Sequence, residues 1–176
     1  MTSEISVTYG TYDVLTRIID DNPQRQLHLF QELNDPTNLM LSDSTGTKSI
    51  FNSSIIYDVL GHSGVDNWDI FVNSTVIELN DDQQKVFDAR INKLLTTTLP
   101  QGMLSMYSMY YHKDITRRAL LTTWDSEASY KKWQKQADLS GKYHVSPDFY
   151  MHVGSYIPPI DEEEELETDD IDNENE

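Results

Sequence analysis

The sequence predicts an α+β fold, in which helices pack on one face of an antiparallel sheet. Alternating polar and apolar residues mark strands at residues 5–9, 103–112 and 117–124. Apolar residues at helical spacing follow Asn80, and Gln83 stands three residues after it, which is the pattern of a capping box at a helix start. Hydrophobic residues make up 38% of the chain, so the composition supports a packed core.

Residues 1–64 are predicted to form a smaller α+β module. A first strand ends at Gly10, and a short helix follows it. Ser53–Leu60 has apolar residues at helical spacing and is predicted as a second helix that ends at Gly61. A small antiparallel meander is expected between the two helices. In order, the predicted elements are helix Tyr12–Ile19 and strands Gln26–Leu33, Asn38–Leu41 and Lys48–Phe51.

A second module, residues 65–158, is predicted after the glycine-containing boundary Gly61–Gly64. Its elements follow the order β-α-β-β-α-β, which is the ferredoxin-like topology of two helices on a four-stranded antiparallel sheet. They are strand Trp68–Leu79, a helix from Asn80 to about Thr97, a hairpin of Met103–His112 and Arg117–Trp124, a helix capped by Asp125 or Ser126 that runs to about Ala137, and strand Phe149–Ile157.

The negative charge of the chain is concentrated at its C-terminus. Residues 161–176 contain eleven Asp or Glu and no Lys or Arg, so 13 basic and 19 acidic residues, a net charge of −6, remain in the first 160. A run of like charges cannot bury enough apolar surface to offset its ordering entropy. The sequence therefore predicts a disordered acidic tail over residues 159–176.

Composition also narrows the class of protein. Clustered basic residues are absent, so nucleic acid is not expected as a partner. The absence of cysteine excludes disulfides and thiolate chemistry. No segment has the pattern of a signal peptide or of a membrane span, which favours a cytoplasmic protein. Neither a dinucleotide fingerprint nor a phosphate-binding glycine loop is present, so no flavin is expected.

Two segments carry a resemblance to a known family. Trp124–Glu127 (Trp-Asp-Ser-Glu) is followed by Trp133, and Gly102-Met103 precedes the hairpin. In these features the second module resembles the antibiotic-biosynthesis-monooxygenase (ABM) superfamily, and within it the IsdG-type haem-degrading monooxygenases. Val7–Phe30 is similar to the opening of a two-module branch that includes haem-degrading monooxygenases and the signal-transduction protein TRAP.

The resemblance implies a site for haem, which would be both the substrate and the oxygen-activating centre. Carried over to this sequence, it implies that His144 ligates the haem iron, that Trp133 presses on the macrocycle and that Asn73 assists oxygen activation. The strand register leaves open whether Asn73 or Ser74 faces the pocket, because a slip of one residue turns a side chain to the other face.

The residues themselves also allow structural roles. Trp133 lies at helical spacing with Tyr130 and Ala137, so it is equally suited to a core position. A His after a glycine is usually a loop residue, and Asn73 could be a polar residue that faces water. A stripe of Met and Tyr over residues 103–111 is suited to core packing or to an apolar pocket.

Two functions therefore stay open. One is a haem-binding monooxygenase that degrades haem and draws electrons from an external donor. The other is a non-enzymatic, TRAP-like regulatory or stress-response protein that retains the ABM fold. The expected ligand is haem or another small hydrophobic molecule. The chain is expected to be a monomer or a homodimer, since the first module could take the place of the partner that ABM domains usually pair with.

Removal of residues 161–176 should leave the midpoint of thermal unfolding nearly unchanged, because Leu166 and Ile171 are the tail's only large apolar residues. Thermal unfolding of the full and the truncated chain, followed by circular dichroism, measures the difference. A midpoint several degrees lower in the truncated chain would show that the tail packs on the folded part.

Overall fold

Eight antiparallel strands close into a barrel in the computed structural model, which describes residues 3–144 and 147–160. Around the barrel the strands follow the order β1-β3-β2-β8-β5-β7-β6-β4. The strands are β1 (Glu4–Gly10), β2 (Leu27–Glu32), β3 (Asp35–Asp43), β4 (Ile55–Gly64), β5 (Phe71–Glu78), β6 (Met103–Tyr111), β7 (Asp114–Trp124) and β8 (Met151–Ile157). The helices are α1 (Tyr12–Asp21), α2 (Asp81–Thr96), α3 (Glu127–Ala137) and α4 (Leu139–Tyr143).

The second half of the barrel confirms the predicted ferredoxin-like arrangement. Its strands lie in the order β8-β5-β7-β6, and α2 and α3 follow β5 and β7 along the chain. The predicted capping box is present: the side chain of Asn80 accepts from the Gln83 backbone N–H, and the Gln83 side chain accepts from that of Asn80. Ser126 caps α3 by accepting from the Ser129 backbone N–H. Local sequence signals therefore fix where both helices begin.

The first half repeats that strand order as β4-β1-β3-β2. A connection over residues 44–54 stands where a second helix would follow the third strand. The predicted strand Lys48–Phe51 is wrong, because these residues belong to this connection.

The predicted helix Ser53–Leu60 is also wrong, because Ile55–Gly64 forms strand β4. Its β-branched residues suit a pleated strand, and pairing with β1 on one side and β6 on the other supplies the backbone hydrogen bonds. The predicted module boundary Gly61–Gly64 lies within this strand, paired with residues 105–108 of β6.

Two apolar cores lie on opposite sides of the sheet. Outside the barrel, α2 and α3 cover a core that includes Phe87, Ile91 and Trp124, each at most 1% exposed. Inside the barrel, residues of β1–β3 pack with those of β5–β8, including Phe30 and Val72. Alternation along each strand assigns neighbouring residues to different cores.

Some features fall outside the predictions. Helix α4 is an additional five-residue element between α3 and the last strand. No helix among the described residues is long and apolar enough to cross a membrane. The predicted acidic tail begins within the described chain, at residues 159–160, but its charged part, residues 161–176, lies outside the described residues.

Asn80→Ala should lower the free energy of unfolding by about 1 kcal/mol, because it removes the side chain that caps α2. Asn92→Ala, at an exposed position of the same helix, is the matched control and should change it by less than about 0.5 kcal/mol. Urea denaturation of both variants measures the difference. Equal effects would contradict a specific role of the cap.

Candidate functional site

A cavity of about 160 Å³ lies between α3, α4 and the outer face of the sheet. We call it the helix-side cavity. Its position is set by β5, which runs beneath α3, and by the turn at Asp138, where the chain passes from α3 into α4. Its lining residues are Thr75, Tyr130, Trp133, Gln134, Ala137, Asp138, Leu139, Ser140 and Met151.

Trp133 is the predicted site residue that lines this cavity. It is half-buried, and its ring centroid lies 5.6 Å from that of Trp124 and 6.4 Å from that of Tyr130. The indole is therefore both a wall of the cavity and a packing partner of the outer core. These two roles are compatible, because one face of a large aromatic ring can pack while an edge remains accessible.

Asn73 lies on the same side of the sheet as α3, whereas Ser74 lines the barrel interior. The amide of Asn73 is 1% exposed and hydrogen bonded on both ends. Its Nδ2 donates to the Gly154 carbonyl at 2.9 Å, and its Oδ1 accepts from Thr75 Oγ1 at 2.9 Å. Asn73 thus lies on the helix side of the sheet, but it is not among the residues that line the helix-side cavity, and its amide is bonded within the sheet.

Tyr130 connects Asn73 and Thr75 to α3. Burial raises the pKa of Tyr130 to about 12, and hydrogen bonds from the side chains of Thr75 and Asn73 only partly oppose that rise. The phenol is therefore neutral near pH 7 and acts as a hydrogen-bonding group at the base of the helix-side cavity.

His144 is not among the residues that line the helix-side cavity. It is exposed, it follows α4, and its ring stacks on Phe149 with centroids 5.0 Å apart. Helix α4 is held in place by the Asp138 side chain, which accepts from the Gly141 backbone N–H, and by Gln83, which donates to the Tyr143 carbonyl. The structure therefore brings Asn73 and Trp133 to one side of the sheet but leaves the imidazole outside the cavity.

A larger cavity, about 300 Å³, occupies the interior of the barrel. We call it the barrel cavity. No sequence motif pointed to it, because its walls come from all eight strands. Its signals in the sequence were the stripe of Met and Tyr on β6 and Arg117, which follows the hairpin turn. Its lining residues are Ile5, Val7, Tyr9, Phe30, Met40, Ser42, Ile55, Tyr57, Trp68, Ser74, Val76, Met109, Tyr111, Arg117, Leu121, Tyr150, His152 and Tyr156.

Trp68 closes one end of the barrel cavity. Its ring stacks on His28 at 4.9 Å and lies 6.2 Å from the ring of Tyr107. The loop that carries Trp68 is fixed by Asp66, which accepts hydrogen bonds from Tyr107 at 2.6 Å and contacts His62 at 3.0 Å. This end is therefore covered by stacked aromatic rings and by a partly buried network around the Asp66 carboxylate.

Partly exposed residues lie at the other end. The Arg117 guanidinium stands 4.7 Å above the ring of Tyr150, which is 40% exposed. Deeper in the cavity, burial raises the pKa values of Tyr57 and Tyr156, so both phenols stay neutral at physiological pH. The cavity thus combines aromatic walls, neutral hydroxyl groups and one guanidinium.

Comparison with solved structures identifies the class of fold. No protein-family model matches the chain. An uncharacterised ferredoxin-fold protein from Listeria monocytogenes, related to antibiotic biosynthesis monooxygenases, matches with a TM-score of 0.74 and 20% identity, over 92% of this chain and 97% of its own. The chain therefore has the fold of ABM-related proteins, as the sequence resemblance implied.

Two further similar structures carry functional descriptions. LmHde, a haem-degrading enzyme from Listeria monocytogenes, has a TM-score of 0.70 and 20% identity, over 89% of this chain and 99% of its own. A major regulator of staphylococcal pathogenesis has the same TM-score and identity, over 90% of this chain and 99% of its own. One fold thus serves an enzyme and a regulator, and at this identity the likeness extends to the fold alone.

Asn73→Ala should lower the free energy of unfolding by about 1–3 kcal/mol, because it leaves buried partners of the amide without hydrogen bonds. Ser74→Ala, one residue along and on the other face, should change it by less than about 1 kcal/mol. Chemical denaturation measures both. An unchanged free energy of unfolding in Asn73→Ala would contradict a structural role of the Asn73 amide.

Proposed function

We propose that the chain binds haem on the helix side of the sheet and degrades it oxidatively. The observation that carries the proposal is the position of Asn73 and Trp133 on one side of β5, beside the helix-side cavity. The similarity of the fold to that of a haem-degrading enzyme agrees with this assignment. In this proposal haem, when bound, supplies the iron that activates oxygen and the ring that is oxidised.

The chemistry of the side chains suits haem, but the present volume does not. Trp133 supplies an aromatic wall of the kind that packs against a porphyrin, and His144 supplies an exposed imidazole, which is a common ligand of haem iron. However, 160 Å³ lies below the range of about 300–1,000 Å³ for pockets that enclose drug-sized ligands, and a porphyrin exceeds most of these. Haem binding therefore requires this side of the protein to open.

Helix α4 is the element whose displacement the proposal requires. It has only five residues, and it is joined to α3 by Asp138, a residue with a left-handed backbone (φ 44°). Gln83 donates to the Tyr143 carbonyl at its C-terminal end, and the side chains of Leu139 and Tyr143 are buried in the outer core. Movement of α4 must withdraw these contacts, and it would bring the cavity and His144 into one site.

Each predicted residue has a defined part in this proposal. His144 provides the ligand to the iron, Trp133 bears on the macrocycle, and an external donor supplies electrons. For Asn73 to assist oxygen activation, its amide must exchange the Gly154 and Thr75 hydrogen bonds for one to the ligand.

A second candidate function is supported by the same hydrogen bonds. A buried amide that is satisfied within the sheet is suited to a structural role, and a small cavity is suited to a protein that has kept the fold without the chemistry. This observation favours a non-enzymatic regulatory protein, and one structural neighbour is described as a regulator. Haem binding distinguishes the two candidates.

Titration of the protein with haem should produce a shifted Soret band, and addition of ascorbate under oxygen should then bleach it as the ring is degraded. His144→Ala should abolish the shift, because it removes the iron ligand while altering an exposed position. His112→Ala, at another exposed histidine, is the matched control and should bind haem as the unaltered protein does. Absence of any spectral change at micromolar haem would contradict haem degradation and would favour the regulatory function.

Trp133→Phe should retain haem binding and change the rate of degradation or its products, because phenylalanine keeps part of the volume of the indole without its reach. Single-turnover spectra and product chromatography measure this effect. An unaltered rate together with unaltered products in the variant would contradict the role of Trp133.

Hydrogen exchange gives a separate test of the opening step: amides of α4 should change their exchange rate when haem is added.

A further inference from the structure

The barrel cavity contains unfilled hydrogen-bonding positions. Among the described residues, two buried side-chain atoms have no hydrogen-bond partner, Ser42 Oγ and Arg117 Nε, and both residues line this cavity. Buried polar groups are almost always hydrogen bonded, so such groups require an explanation. Because both residues line one cavity, a molecule bound there would be within reach of both.

These two positions lie towards opposite ends of the cavity. Ser42 is 1% exposed and pairs in register with His28, whose ring stacks on Trp68 at the closed end. Arg117 lies at the partly exposed end, where its guanidinium contacts Tyr150. A molecule that reaches both positions must therefore be elongated along the barrel.

The Arg117 guanidinium has an unused hydrogen-bond donor at the open end, its Nε. Glu78 and Asp114 each lie 3.5 Å from Arg117 Nε, but neither carboxylate completes a hydrogen bond with it. An arginine can bind a carboxylate through two parallel N–H donors, which neither of these neighbours does. A ligand carboxylate at this end would thus gain a bond that the protein leaves unmade.

The remaining walls favour aromatic rings. Phe30, Trp68 and five tyrosines surround the space, and Tyr57 and Tyr156 remain neutral because their pKa values are raised by burial. The interior of an eight-stranded barrel is wide enough to hold one small ligand. A volume of about 300 Å³ accommodates one or two rings and is too small for a porphyrin.

We propose that the barrel cavity binds a small aromatic carboxylate of one or two rings, whose acid group pairs with Arg117 and whose far polar group reaches Ser42. This site is separate from the helix-side cavity, because the two lie on opposite faces of the sheet and share no lining residue. It therefore does not depend on the proposed haem function, and either site can be disproved without the other.

The test uses 6-hydroxy-2-naphthoate, whose carboxylate and hydroxyl stand at opposite ends of two fused rings, with isothermal titration calorimetry on the full chain. Arg117→Gln should weaken its binding about tenfold or more, and Ser42→Ala should weaken it several-fold. Two variants serve as controls and should bind it unchanged: Arg118→Gln, which alters the neighbouring arginine that pairs with Asp88, and Trp133→Phe on the helix side.

A neutral probe separates charge recognition from simple burial of the rings. 2-Naphthol has the same rings and hydroxyl without the carboxylate, so it should bind to the unaltered protein more weakly than the naphthoate does. Its affinity for Arg117→Gln should equal its affinity for the unaltered protein. Thermal unfolding of each variant without ligand shows whether it is folded; if Arg117→Gln is not, the comparison of the two probes on the unaltered protein decides. Absence of naphthoate binding at millimolar concentration, or equal binding of both probes, would overturn the proposal.

Discussion

Pairing of β4 with β1 and with β6 closes the sheet, and this closure fixes the side on which every strand residue lies. Side chains alternate between the interior and the exterior of a barrel. On β5, Ser74 and Val76 line the barrel cavity, while Asn73 and Thr75 lie under α3. A shift of one residue would exchange these two sets. Both candidate sites therefore depend on the register of the strands that they share, β5 and β8.

Elements with local signals were predictable from the sequence, whereas those defined by distant partners were not. Asn80 and Ser126 cap their helices through residues three positions away, so a short stretch of sequence contains the whole signal. Ile55–Gly64 has apolar residues that suit a helix as well as a strand, and only its pairing with β1 and β6 decides between them. Helix α4 was missed because five residues are too few for a periodic pattern.

The same distinction applies to the two sites. Trp133 was found because its pattern is continuous in sequence, and the register of Asn73 required β7 and β8 on either side of β5. His144 shows the limit of this reasoning, since matching a family pattern does not determine whether a residue reaches a cavity. The barrel cavity could not be predicted, because Ser42 and Arg117 become neighbours of one space only after the sheet has closed.

The connection over residues 44–54, which stands in place of a second helix in the first half, makes the barrel asymmetric. A barrel formed by two identical chains presents every site twice, and each substitution occurs in both copies. Here two unlike halves lie in one polypeptide, so the helix-side cavity has no symmetry mate among the described residues. The stoichiometry is then one such cavity per barrel. Each half can also acquire substitutions independently, which allows one half to specialise in binding while the other preserves the closed sheet.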